Sequence, residues 1–248
     1  MGKALRFRPQ IEILEDRLVP GDLRGALNLI DAPDVNALWE TRPASAAQGG
    51  EVLPAAATPH GFSLTEMARE TATFLTSGND LSLYPKTPFQ ILYVDPATQT
   101  FDSVNGGLVV TGTNQFTVAA GTPFYAPVAF ADDSPPVVGT FPTSSGQVAN
   151  YLFGQDQNGW TNLRVTVDGR VTPIGSAYAV GPVQTPPLPD GGGSHIITVG
   201  AFLTPLSPGT HTVGVSGEFS GALFQQANGL NFVQFHLTYT VTVTPHGP

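Results

Sequence analysis

Cysteine is absent from the 248 residues. Disulfides, thiolate metal centres and cysteine nucleophiles are therefore excluded, while the compartment stays open, because an exported protein can do without disulfides. Charge is also scarce: Asp, Glu, Lys and Arg make up 12% of the chain, about half of the usual share. The surface must then be covered by Thr, Ser, Asn and Gln, which suits an extracellular β-protein. Cations are scarcest of all. Half of the ten basic residues, Lys3, Arg6, Arg8, Arg17 and Arg24, precede Gly25, and beyond Lys86 only Arg164 and Arg170 remain. With a net charge of −9 and no cluster of cations to neutralise phosphates, a nucleic-acid face is excluded and an anionic membrane surface is disfavoured. No apolar run approaches the length of a spanning helix, so no transmembrane segment is expected.

What the chain does contain is the alternation of a half-buried strand. Val233, Phe235, Leu237, Tyr239, Val241 and Val243 alternate with Gln234, His236, Thr238, Thr240 and Thr242, a period of two that places one set inside and the other in water. From Phe89 onward, further short apolar runs are separated by turn residues, the pattern of a sandwich or barrel rather than of βαβ units. Strands are expected at Phe89–Val94, Leu108–Thr111, Gln115–Val118, Phe124–Phe130, Leu163–Val167, Val171–Ile174, Ile196–Leu203, His211–Gly217 and Phe232–Val243. Asp168-Gly169 supplies residues that tolerate positive φ in a tight hairpin, and Pro208-Gly209 offers a second turn. Short connections of this kind predict antiparallel pairing. One helix is predicted over about 63–77, where Ser63 and Glu66 have the spacing of a capping box and Leu64, Met67, Ala68, Thr71, Phe74 and Leu75 share one face. Its stripe is expected to dock on the sheets. Residues 41–60, dominated by Ala, Pro, Gly and Gln, read as a linker, and the Pro and Gly-rich stretch from Gly181 to Gly193 reads as a loop. The expected organisation is a leader over 1–40, the linker, and an all-β antiparallel sandwich domain over 61–245 with one N-terminal helix.

The opening segment admits two readings. Ile11, Ile13, Leu14 and Leu18 among Glu12, Glu15 and Asp16 make a short amphipathic helix ended by Pro20-Gly21, and the run lacks the uninterrupted apolar core of a secretory signal. The stretch from Arg8-Pro9-Gln10 through Leu14-Glu15-Asp16-Arg17-Leu18 also resembles the LEDR-type segment at the start of many large or secreted planctomycete proteins. That resemblance implies export to the cell envelope or beyond. A second resemblance spans roughly Phe89 to Val243. Its elements are "V-x-A-G-T-P-F-Y-x-P-V" at Val118–Val128, "V-D-G" at Val167–Gly169, "L-x-P-L-x-x-G-x-H-T-V" at Leu203–Val213 and "T-Y-x-V-x-V" at Thr238–Val243. The pattern is similar to a family of bacterial exported proteins without assigned activity. It implies a secreted β-sandwich or jelly-roll-like domain and offers no catalytic residues to carry over.

Residues that could bear chemistry are few. His60, His195, His211, His236 and His246 form no His-x-His or His-x-x-x-His pair, so a compact zinc motif is missing, and His211 and His236 read as structural or solvated. Asp132, Asp133 and Asp156, with Asn158, provide hard oxygen ligands of the kind that holds calcium between loops. The same carboxylates could instead serve as the acid and base of a glycoside hydrolase. Ser176, Ser216 and Ser220 lack the Gly-x-Ser-x-Gly elbow, and the glycines after Asp190 lack a phosphate loop's spacing and lysine. Tyr151, Asp156, Asn158 and Trp160 lie close together in the sequence, and exposed aromatics beside polar groups would suit a sugar ring. The function expected from the sequence is non-catalytic: an exported surface or extracellular protein in a structural or binding role. Its partners would be glycans or other surface proteins. The alternative is a carbohydrate-binding or carboxylate-dependent carbohydrate-active protein, and the only cofactor entertained is calcium.

Overall fold

A computed structural model describes residues 49–245. The leader expected over 1–40, the first part of the linker and His246 lie outside the described residues. In chain order the elements are α1 (Leu64–Thr76), β1 (Gln90–Ile91), β2 (Thr100–Val104), β3 (Gly107–Ala119), β4 (Phe124–Asp132) and α2 (Ser145–Phe153). There follow β5 (Trp160–Val167), β6 (Arg170–Pro173), β7 (Ala179–Gln184), β8 (His195–Leu203), β9 (Gly209–Phe219), α3 (Ala222–Asn228) and β10 (Val233–Thr244). Of the described residues, 42% are strand and 21% helix, so the fold is β-rich with few helices. No described helix is long and apolar enough to cross a membrane, which says nothing of a β-barrel.

The strands form two sheets, one of four strands in the order β1-β4-β8-β7 and one of six in the order β2-β3-β10-β9-β5-β6. Between them lies a cluster that takes Phe124, Ala126, Val199 and Ala201 from the first sheet and Val165, Val215, Phe235 and Tyr239 from the second. The opposite face of the four-stranded sheet is buried as well, because Tyr125, Phe130, Ile196 and Phe202 pack with Met67, Phe74 and Leu75 of α1. Burial on both faces explains why Phe124–Ala131 and Ile196–Leu203 are nearly uninterrupted apolar runs. The six-stranded sheet keeps one face in water, so β9 and β10 alternate as half-buried strands do.

Helix α1 begins where its cap can form. The Ser63 hydroxyl accepts from the Glu66 backbone N–H at 3.2 Å, while Glu66 Oε2 accepts from the Ser63 backbone N–H at 2.6 Å. Two of the otherwise unpaired donors of the first turn are thus satisfied. Ser63→Ala is expected to lower stability by about 1 kcal/mol, read as a shift in the urea midpoint, with Ser63→Asp restoring most of it.

Several expectations require correction. The sheets are mixed, not antiparallel throughout: β10 runs parallel to β3 from Val233↔Leu108 to Thr244↔Ala119, and β1 runs parallel to β4. Turn chemistry orders neighbours only where two strands are joined by that turn. It does so at Asp168-Gly169, with φ of 49° and 82°, and at Asn105-Gly106, with φ of 49° and 76°, which join β5 to β6 and β2 to β3. Pro208-Gly209 instead carries the chain from one sheet to the other. Two helices besides α1 are present, and α2 starts on a second capping box, Ser144 with Gln147. Leu108–Thr111 and Gln115–Val118 are one strand, and β7 occupies the start of the stretch expected to be a loop. Nor is the end of the expected linker free of the fold. Gly49 bridges Leu206 and Val52 bridges Leu203, while the Leu53 backbone N–H donates to the Phe202 carbonyl at 2.9 Å.

Candidate functional site

The residues expected to receive a sugar are not displayed. Trp160 is 1% exposed, Tyr151 5% and Asn158 0%. The Trp160 indole packs against Phe219 and Phe153, Tyr151 donates its hydroxyl to the Val138 carbonyl, and Asn158 Nδ2 donates to the Tyr151 carbonyl at 2.9 Å. Burial pushes the Tyr151 phenol up to about 12. For Trp160 the cause is a change of phase in β5. Thr161 pairs with Glu218 and Arg164 with Ser216, so Asn162 and Leu163 together oppose Gly217. This is a β-bulge, with Asn162 at φ 54°, a conformation Asn tolerates better than most residues. The extra residue turns Trp160 inward together with Leu163, Val165 and Val167, and leaves Thr161 and Asn162 on the other side.

The carboxylates expected to hold calcium do not converge either. Asp156 is exposed, its Oδ2 accepting from Gln157 Nε2. Asp133, just past the end of β4, clamps the start of β8 instead. Its Oδ1 accepts from the Ser194 and His195 backbone N–H groups at 2.6 and 2.8 Å, and its Oδ2 lies 2.8 Å from His195 Nδ1. Burial opposes ionisation of Asp133, but these hydrogen bonds and the attraction of His195 hold its carboxyl below the usual range. Asp132 faces Asp190. Burial is the main reason that its carboxyl is pushed up to about 6; a hydrogen bond from Ser134 works against the shift and the nearby Asp190 adds to it. Ser134 Oγ donates to Asp190 and accepts from the Gly193 N–H, so the glycine stretch after Asp190 is fastened, not a free turn. A Cβ on Gly193 would come within 2.5 Å of Asp133 Oδ1 and of the Ser134 nitrogen. Among the described residues, no three His, Asp or Glu side chains gather as a metal site would require.

A third arrangement has the membership of a nucleophilic triad without its geometry. Asp168 Oδ2 lies 2.7 Å from His211 Nδ1, but His211 Nε2 is 2.8 Å from the Ser207 carbonyl oxygen and 3.5 Å from its hydroxyl. A nitrogen that faces a carbonyl donates a proton to it and has no lone pair to accept one from serine. Asp168, which also accepts from the Thr212 N–H, is therefore part of a partly buried clasp that ties the β5–β6 turn to β9.

The polar groups that do converge on open solvent lie on the outer face of the six-stranded sheet. A cleft of about 70 Å³ is lined by Asn162 and Arg164 of β5, Gly217 and Glu218 of β9, and Gln234 and His236 of β10. The bulge in β5 makes it, because Asn162 and Arg164 both reach the outer face, while Gly217 contributes backbone alone, since a Cβ there would point inward against Leu163 and Phe235. Arg164 Nε donates to Ser216 Oγ at 2.9 Å and Gln234 Nε2 donates to Glu218 Oε2 at 2.8 Å, so two pairs of side chains are held in place across strands. Partial burial first, and the positive charge of Arg164 second, hold His236 below the usual histidine value. The cleft offers a guanidinium, two amides, a carboxylate and an imidazole within the width of three strands. That set suits hydrogen bonding to a small polar ligand. Of its residues, the sequence picks out His236 as a structural or solvated histidine, Arg164 as a rare cation and Gln234 as part of the polar face of the last strand. Nothing local marks the others, since β5 meets β9 at Thr161↔Glu218 and Arg164↔Ser216 across more than fifty residues of chain.

No family profile matches the chain, and no curated protein matches it. The crystal structure of dimeric latent PorU from Porphyromonas gingivalis is similar over 61% of this chain and 10% of that one, at 16% identity and a TM-score of 0.25. A likeness so slight carries no argument about function.

Proposed function

We propose that this is an exported, non-catalytic binding protein of the cell surface or its surroundings, and that its ligand is a glycan seated in the Asn162, Arg164, Glu218, Gln234 and His236 cleft. The observation that carries the reading is the cleft itself. Five hydrogen-bonding side chains from three adjacent strands meet at a bulge, and amides, a carboxylate and a guanidinium are the groups that recognise pairs of sugar hydroxyls. Export rests on the resemblance of the Arg8–Leu18 segment to planctomycete leaders and on the charge-poor, Thr-rich surface. The facing sheets are read as a β-sandwich, a scaffold rigid enough to hold such a cleft, although the parallel β3–β10 and β1–β4 pairs set it apart from an all-antiparallel jelly roll.

The full chain on a glycan array tests the reading. Retention of a subset of glycans is expected, reduced at least tenfold by Glu218→Ala with no change in melting temperature. Retention that Glu218→Ala leaves intact, or none at all, would remove the cleft from consideration.

A further inference from the structure

Resting on the cleft reading above, we infer that the sugar it takes is an acidic one, a uronate whose carboxylate pairs with the guanidinium of Arg164 while its hydroxyls meet Glu218, Gln234 and Asn162. Beyond Lys86 the chain has two cations. Arg170 donates through Nη2 to the Gly49 carbonyl at 3.0 Å, outside the cleft. Arg164 is anchored through Nε on Ser216 Oγ, which fixes the plane of the guanidinium and leaves its Nη groups for the two parallel hydrogen bonds that a carboxylate accepts. No acidic side chain among the described residues comes within ion-pair distance of it. Glu218, which lines the same cleft, accepts instead from Gln234 Nε2. His236 responds to the uncompensated charge, since the Arg164 cation is one of the two causes that disfavour its protonation.

Size and composition narrow the ligand further. A water needs roughly 10–15 Å³ of such space, so a cleft of about 70 Å³ admits a carboxylate and part of one ring, not a buried oligosaccharide. A plain carboxylic acid would satisfy Arg164 and leave unused the hydrogen-bonding capacity that Glu218 and the amides keep beyond their own pairing. A neutral sugar would do the reverse. A uronate satisfies both.

NMR titration of the full chain with galacturonate and, separately, with galactose tests this. The Arg164 Nε–H signal and the side-chain amide signals of Asn162 and Gln234 report occupancy. Galacturonate is expected to bind at least tenfold more tightly than galactose, and Arg164→Gln is expected to erase that preference, lowering galacturonate affinity at least tenfold more than galactose affinity. Equal binding of the two sugars, both lost in Glu218→Ala, would overturn the inference and keep the cleft as a neutral-sugar site. Absence of shifts at these signals with either sugar would overturn both.

Discussion

Trp160→Ala is expected to lower stability by about 3–5 kcal/mol, a large part of what holds a domain of this size folded. The indole is fully buried between Phe153 and Phe219, and Phe219 in turn stacks on Phe235 at 5.3 Å, so truncation opens a void at the junction of α2, β5, β9 and β10. The surroundings cannot collapse into it easily. Immediately upstream the backbone of Gly159, at φ 60°, lies against Ser220 and Gly221, close enough that a Cβ would come within 2.5 Å of Gly221. Urea unfolding measures the effect, and the same variant, studied at a temperature where it remains folded, is expected to keep galacturonate affinity within threefold. An unchanged urea midpoint combined with lost sugar binding would mean that Trp160 is a stacking platform after all.

Asp132→Asn is expected to stabilise the protein above neutral pH and to remove a pH dependence that the unaltered chain displays. The folded-state pKa of Asp132 is raised, from the usual 3.8 to about 6, because burial penalises the charged carboxylate and Asp190 lies beside it. Its favourable contribution is thus fully present below the unfolded pKa and is lost as pH rises through the folded one. Two pKa units correspond to roughly 3 kcal/mol, lost between about pH 4 and about pH 7. Asparagine keeps the oxygen that accepts from the Ser134 N–H and carries no charge at any pH, so its stability curve lacks this loss. His236 works in the opposite sense within the same range, since its depressed pKa contributes stability that is lost as pH falls. The diagnostic is therefore the difference between the two proteins: near zero at about pH 4, growing to a few kcal/mol by about pH 8. Urea titrations across that range measure it. Parallel curves would mean that Asp132 ionises freely.

Much of the secondary structure was legible because it is written locally. The Ser63 and Glu66 pair announced α1, and Ser144 with Gln147 carried the same signal for α2 at the same spacing, in a stretch that reads as polar loop only when Tyr151 and Trp160 are taken for surface groups. Asp168-Gly169 marked a hairpin, and Asn105-Gly106 is the same kind of mark. Strand phase was less secure. Leu163, Val165 and Val167 alternate correctly, but carrying that alternation back to Trp160 puts the indole on the wet face, and one bulged residue reverses the assignment. The candidate site was less legible still. Arg164 and its anchor Ser216 stand 52 positions apart and meet only because β5 pairs with β9.

The sequence by itself determined that this chain makes half-buried strands with a Thr-rich outer face, that Ser63 caps α1, and that cysteine chemistry is unavailable to these 248 residues. Periodicity, capping and composition act over a few residues, so they can be read without knowing what lies opposite. Only the tertiary structure decided which strands are neighbours, that β3 and β10 run parallel, that Trp160 is core, and that Asn162, Arg164, Glu218, Gln234 and His236 share a cleft. Those outcomes depend on how two sheets and a helix bury their apolar faces together. Burial is a property of the whole packed arrangement, and no local stretch of the chain encodes it.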